Sequence, residues 1–117
     1  GYKGIVVSAT ALGHVPTDNK KHSLIPKLRK AVKKGIPVVI VSQTLYGRTN
    51  PYVYTNLRKL SIDIGCIFAE DMLPEVAYIK LGWLLSQTDD IKKLKDMMSS
   101  NIVGEINYRH MPDDFLR

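Results

Sequence analysis

The chain has 117 residues, of which 44% are apolar and 24% charged, and a formal net charge of +6. That balance fits one globular domain with a real core and excludes a disordered segment. No apolar run approaches the roughly 20 residues that span a bilayer, and the first apolar stretch, Ile5 to Val7, is too short for a signal peptide. The opening residue is Gly1 rather than Met, which reads as a piece cut from something longer. The single cysteine, Cys66, cannot form an internal disulfide. It lies in an apolar run and reads as core filler in a reducing compartment, which points to the cytoplasm. The positive charge is compatible with a nucleic-acid partner without demanding one, because the basic residues are mostly spread along helix faces.

Lys3 to Ser8 (K-G-I-V-V-S) reads as a buried strand. It empties into a loop, Ala9 to Lys21, rich in turn-forming residues. Ser23 to Lys34 reads as a helix with Leu24, Ile25, Leu28 and Val32 on one face and Lys27, Arg29, Lys30, Lys33 and Lys34 on the rest. Ser23 can cap its start, Pro26 fits its first turn, and Gly35 with Pro37 ends it. Val38 to Val41 is a second buried strand, and Ser42 to Pro51 is a polar loop. A helix is expected from Tyr52 to about Leu60, with Val53, Leu57 and Leu60 on one side. Cys66 to Phe68 is a third short strand, and Glu70 to Leu73 a loop. Pro74 opens the longest apolar helix, ending near Ser86. Its apolar residues cover most of its circumference, which predicts burial on more than one side. Lys80 is its only cation, and a buried ammonium needs a partner or must snorkel, so a structural role is expected. Thr88 is expected to cap a further helix through Met98, with Ile91, Leu94 and Met98 inward. The stretch from Asn101 to Arg117 offers no firm pattern beyond a final turn at Pro112 to Leu116.

Strands alternating with helices imply right-handed βαβ units, hence an α/β fold: a small three-layer α/β/α parallel sheet of the flavodoxin-like or Rossmann-like kind. Residues 1–100 form the domain and residues 101–117 its C-terminal tail. In such sheets ligands bind beyond the C-terminal ends of the strands, so the loops at Ala9 to Lys21, Ser42 to Pro51 and Glu70 to Leu73 are where a site is expected. The first loop carries Gly13, which permits an unusual backbone angle, and His14, which can donate or accept near neutral pH; a surface histidine after a tight turn is the bland alternative. The second loop offers Ser42, Gln43, Thr44, Thr49 and Asn50 for neutral hydrogen bonds and Arg48 as a forked cation for a carboxylate. Here too a plain turn, with Asn50-Pro51 starting a helix, is an equal reading. Metal binding is not expected, since His14, His22 and His110 share no ligand spacing. Glu70 and Asp71 are adjacent on a loop and read as helix-capping residues. Cys66, inside a strand, is expected to have a raised thiol pKa and no role as a nucleophile. These residues make no complete catalytic set.

Three segments together resemble one family. K-G-I-V-V-S-A-T-A-L-G-H-V-P (3–16), P-V-V-I-V-S-Q-T-L-Y-G-R-T-N-P-Y-V-Y (37–54) and E-D-M-L-P-E-V-A-Y-I-K-L-G-W-L-L (70–85) look like successive parts of the C-terminal domain of the asparaginase family. The match runs almost end to end with compatible spacing. Free asparaginases usually read G-N-x-P in the first loop; Leu12-Gly13-His14-Val15 is more similar to the tRNA-dependent amidotransferase branch, as are residues 70–75 and 101–106. Ala11 departs from that branch, which often has Gly there. The resemblance implies a parent protein that hydrolyses glutamine through a threonine nucleophile, aided by a second threonine, an Asp and a Lys, all in a preceding domain. Ammonia would pass to a second, tRNA-binding subunit that uses ATP and Mg to activate and amidate glutamyl-tRNA(Gln). No cofactor is expected in this chain. It also implies a homodimer in which the C-terminal domain closes the neighbour's active site, tRNA being engaged indirectly and no membrane being involved. By position His14 matches an asparagine that the family extends toward the neighbour's substrate, and Tyr54 falls where some asparaginases carry a substrate-binding glutamate. Thr44, Arg48 and Asn50 complete the substrate or interface candidates. The family's domain begins with a further βα unit, which this chain would lack. The alternatives are the same domain of a free L-asparaginase and a stand-alone flavodoxin-like binding module. A receiver of that last class would need an acidic cluster after its first strand, and Val7-Ser8-Ala9-Thr10 has none.

Overall fold

The computed structural model describes residues 1–18 and 20–114. Three parallel strands, β1 (Ile5–Ala9), β2 (Val38–Ser42) and β3 (Ile67–Phe68), lie in the order β1-β2-β3. The register pairs Ile5 with Val38 and Ala9 with Ser42, and Val39 with Ile67. Side chains alternate along β2. Val38 and Ile40 face one core, and Val39 and Val41 the other. Helix α1 (Ile25–Lys33) and helix α2 (Thr55–Arg58), which runs straight into a π-helical turn at Lys59–Ile64, cover the first face. Helices α3 (Pro74–Gln87) and α4 (Ile91–Met98) cover the second. This is the three-layer α/β/α arrangement expected from the sequence.

Several local expectations are corrected. β1 is half-buried rather than buried over Ile5, Val6 and Val7, because it is an edge strand paired only with β2. α1 begins at Ile25 after Leu24; Ser23 Oγ accepts from the Ile25 N–H at 3.3 Å but is not the capping residue. The end of α1 follows the expected glycine logic. Gly35 has φ +76°, its N–H donates to the Val32 carbonyl, and the Ile36 N–H reaches back to Ala31, a pattern that satisfies the last free carbonyls. α2 starts three residues later than expected, with Tyr54 extended at its cap; Val53 is exposed, whereas Leu57 and Leu60 are fully buried. Asp90, not Thr88, caps α4, accepting from the Lys92 and Lys93 N–H groups, while Thr88 Oγ1 accepts from Asp90 N–H. The 3-10 turn Pro112–Asp114 falls where a last turn was expected; Leu116 lies outside the described residues.

The largest correction concerns α3. Ala77, Lys80, Leu81 and Leu84 are buried, but Tyr78, Ile79 and Trp83 are exposed. Part of this second apolar face, Ile79 and Trp83, lines an open groove of about 430 Å³ with Val76, Ile102 and Val103. The chain after α4 packs back along this helix, and Ile106 enters the second core. Lys80 holds it there. Its ammonium donates to the Ser100 carbonyl and pairs with Glu105 Oε1 at 2.6 Å, both side chains being 6% exposed. Glu105 also accepts from the N–H groups of Ile102 (3.1 Å) and Val103 (2.7 Å). Burial alone would raise the Glu105 pKa, but Lys80 and the backbone donors outweigh it and hold the carboxyl at about 2.

Candidate functional site

The three loops at the C-terminal ends of the strands are stitched into one surface. The Gln43 N–H donates to the Ala9 carbonyl at 2.8 Å, and the Asn50 N–H to the Leu12 carbonyl at 2.9 Å, joining the first loop to the second. Thr49, 3% exposed, joins the second loop to the third, its N–H and Oγ1 both donating to the Glu70 carbonyl at 2.8 and 3.0 Å.

The first loop is a tight reversal. Thr10 and His14 form an antiparallel bridge, with the Thr10 N–H donating to the His14 carbonyl at 3.0 Å and the His14 N–H returning to the Thr10 carbonyl at 2.9 Å. Gly13 is buried inside this turn at φ +113°, and a Cβ there would lie 2.7 Å from Phe68 Cε1. Only glycine satisfies both the backbone angle and the approach of that ring. Ala11 is held at φ +44°, in the left-handed region that an alanine enters at a cost. The turn presents the half-buried His14 ring against the exposed Tyr54, with centroids 5.2 Å apart and planes tilted by 52°. Two residues forty positions apart, singled out separately in the sequence, thus meet at one spot.

The other candidates diverge from it. Thr44 is exposed, its N–H donating to Ser42 Oγ at 3.1 Å. Asn50 Oδ1 accepts from the Tyr52 N–H at 3.0 Å, so its side chain shapes the turn into α2. Arg48 finds its carboxylate inside the chain: Nε donates to Glu70 Oε2 at 3.1 Å and Nη2 to the Asn107 carbonyl at 2.7 Å. Nη1 is buried without a hydrogen-bond partner.

Sequence reasoning missed the strap made by the last described residues. Glu70 and Asp71 do not cap α3, whose start at Leu73 has no side-chain cap. Glu70, with φ +57°, binds Arg48; Asp71 accepts from Asn107 Nδ2 at 2.7 Å and the Asn107 N–H at 3.0 Å, and lies 2.9 Å from His110 Nε2. Burial works against the Asp71 charge, but the Asn107 and His110 contacts prevail and lower its pKa. The acidic pair after a strand, facing a basic loop and a later Asn and His, was the available signal. Cys66 lies one residue before β3 rather than inside it, but burial still pushes its thiol up to about 11, despite Lys95 nearby. Among the described residues no group of three or more His, Cys, Asp or Glu side chains is placed to hold a metal. No helix among them is long and apolar enough to cross a membrane.

Residues 1–98 match the glutaminase/asparaginase C-terminal domain family. The chain belongs to this family. Among curated proteins it is 50% identical, over its whole length, to the glutamyl-tRNA(Gln) amidotransferase D subunit of Thermococcus kodakarensis, covering 25% of that protein. The D subunit of the Pyrococcus furiosus amidotransferase is 49% identical over 99% of the chain, again 25% of that protein. The chain thus spans about a quarter of the length of these relatives. Among solved structures, the thermostable L-asparaginase of Thermococcus kodakarensis superposes with a TM-score of 0.81 at 31% identity, over 92% of this chain and 31% of that one. The L-asparaginase I of Vibrio cholerae gives 0.78 at 31% identity, over 90% and 30%. The asparaginase-type C-terminal fold is therefore shared from sequence through to topology.

Proposed function

We propose that this chain is the C-terminal domain of the glutamine-hydrolysing subunit of a tRNA-dependent amidotransferase, which converts glutamyl-tRNA(Gln) to glutaminyl-tRNA(Gln). The observation that carries the reading is the near full-length identity of 44–50% to amidotransferase D subunits from several organisms. In this assignment glutamine is hydrolysed by threonine chemistry in a preceding domain. ATP and Mg belong to a second, tRNA-binding subunit, and this domain closes a neighbour's active site across a homodimer interface.

The side chains at the strand ends fit such a supporting role. The Ser42 and Thr49 hydroxyls are engaged with the backbone around the loops, and the Thr10 hydroxyl donates to the His14 carbonyl. The half-buried His14 meets the exposed Tyr54 on a turn fixed by Gly13. A histidine so placed can hydrogen-bond across a boundary without taking part in bond making. Asn50 and Arg48 act on the loop itself, Arg48 through Glu70 and Asn107.

Ammonia release from glutamine and from asparagine, by the intact protein and by the 117-residue chain, tests the assignment. The intact protein is expected to prefer glutamine and the chain alone to release none. Turnover by the chain alone overturns the division of labour. A preference for asparagine favours the second reading, a free L-asparaginase, which the 0.81 superposition supports.

A further inference from the structure

Residues 20–34 contain seven Lys or Arg and no Asp or Glu. Five of the cations, Lys27, Arg29, Lys30, Lys33 and Lys34, lie on α1 and its C-terminal cap, and all are exposed. At about 100° per residue they occupy an arc of roughly 160°, opposite the stripe of Leu24, Ile25, Leu28 and Val32 that packs on the sheet. None of these five takes part in the ion pairs Arg48–Glu70, Lys80–Glu105 and His110–Asp71, and none is paired among the described residues. Lys20 and Lys59 extend the surface beside Arg29, around a hollow that also holds Asp18 and Asp63.

A merely solvated helix mixes its charges, as α4 does with Lys92, Lys93 and Lys95 beside Asp90 and Asp96. On α1 the pairs 27–30, 30–33, 29–33 and 30–34 are all positive at spacings where side chains meet, and they repel. The helix dipole accounts for Lys30 and Lys33 in the last turn. It does not account for Lys27, which stands at the positive end, or for Arg29 mid-helix. A polyanion lying along this face would neutralise the whole set.

We infer that the outer face of α1 docks on the phosphate backbone of an RNA. The choice of RNA rests on the proposed function, since the relatives are named for a tRNA substrate. A membrane surface fits less well, because no large exposed hydrophobic residue lies in 20–34, and interfacial helices need an apolar side to insert. Contacts of this kind orient the nucleic acid and add affinity without reading its sequence.

The test is binding of a tRNA transcript to the assembled protein, followed by fluorescence anisotropy from about 50 to about 200 mM salt. The combined Lys27→Glu, Lys30→Glu, Lys34→Glu variant is expected to raise Kd at least about tenfold. It should also flatten the dependence of log K on log salt by about 2–3, from roughly 0.7–0.9 for each phosphate no longer neutralised. A charge-matched control, Lys3→Glu, Lys92→Glu, Lys93→Glu, should bind like the wild type. Unchanged Kd and slope in the α1 variant overturns the inference, as does an equal loss in the control. Weakened binding to phosphatidylserine vesicles with tRNA binding intact also overturns it, in favour of a membrane. Glutamine hydrolysis without tRNA, measured on the same preparations, should be retained by both variants. If the wild-type assembly hydrolyses no glutamine, the proposed function fails, while the anisotropy still decides the surface.

Discussion

Glu105→Gln isolates the clamp that fastens the chain after α4 to α3. In the folded protein the Glu105 carboxyl is held at about 2 against an ordinary 4.5. At about 1.4 kcal/mol per unit, that difference amounts to about 3 kcal/mol. Both partners are nearly inaccessible, so solvent screening takes little from it. Breaking such a buried pair from one side costs about 3–5 kcal/mol by a separate route, because the Lys80 ammonium is then buried against neutral oxygens with no counter-charge. The sign of the pH dependence follows from the lowered pKa. The unfolded chain binds the proton first, so the contribution is complete above about pH 4.5 and is lost as pH falls toward 2. Urea unfolding of wild type and Glu105→Gln should therefore differ by about 3 kcal/mol at pH 7 and converge as the pH approaches 2. A difference below about 1 kcal/mol at pH 7, or one that does not shrink with acid, refutes the reasoning.

The first loop makes two opposite predictions, both read from thermal melts. Gly13→Ala meets Phe68 and a positive φ together and should destabilise by about 2–4 kcal/mol, whereas Ala11→Gly relieves the φ of +44° and should raise the melting temperature slightly. Asp71→Asn should loosen the strap without unfolding the sheet, seen as faster hydrogen exchange at the Asn107 amide with β2 amides unchanged. Acid should act in the same direction in the wild type, since the Asp71 pKa is lowered and its stabilisation disappears as the carboxylate is protonated.

The layers were legible because periodicity reports burial wherever the chain itself supplies the cover. Leu57 and Leu60, Leu94 and Met98, and the whole of β2 behave as their spacing predicts. α3 shows the limit: its pattern records two apolar faces, but Tyr78, Ile79 and Trp83 stay exposed in the described residues. Cap positions slipped by a residue or two wherever several polar residues stood together, as at Thr88 and Asp90. At the candidate site, glycine and histidine were readable from the loop alone. The meeting of His14 with Tyr54, and of Asp71 with Asn107 and His110, depends on how the strand ends are brought side by side. Nothing local encodes a contact across 36 or more residues. The Lys80–Glu105 pair belongs to the same class: the sequence required a partner for the ammonium but did not name it.

The central claim is that this domain shapes a glutamine-hydrolysing site without performing its chemistry. Steady-state glutamine hydrolysis by the assembled protein carrying His14→Ala, measured beside its thermal melt, tests it most directly. Loss of one neutral hydrogen bond is worth about 0.5–1.5 kcal/mol, so kcat/KM should fall roughly two- to tenfold with the melt unchanged. Complete loss of turnover in a folded protein would mean that the domain carries a catalytic residue, and kinetics identical to wild type would leave His14 a surface histidine beside Tyr54.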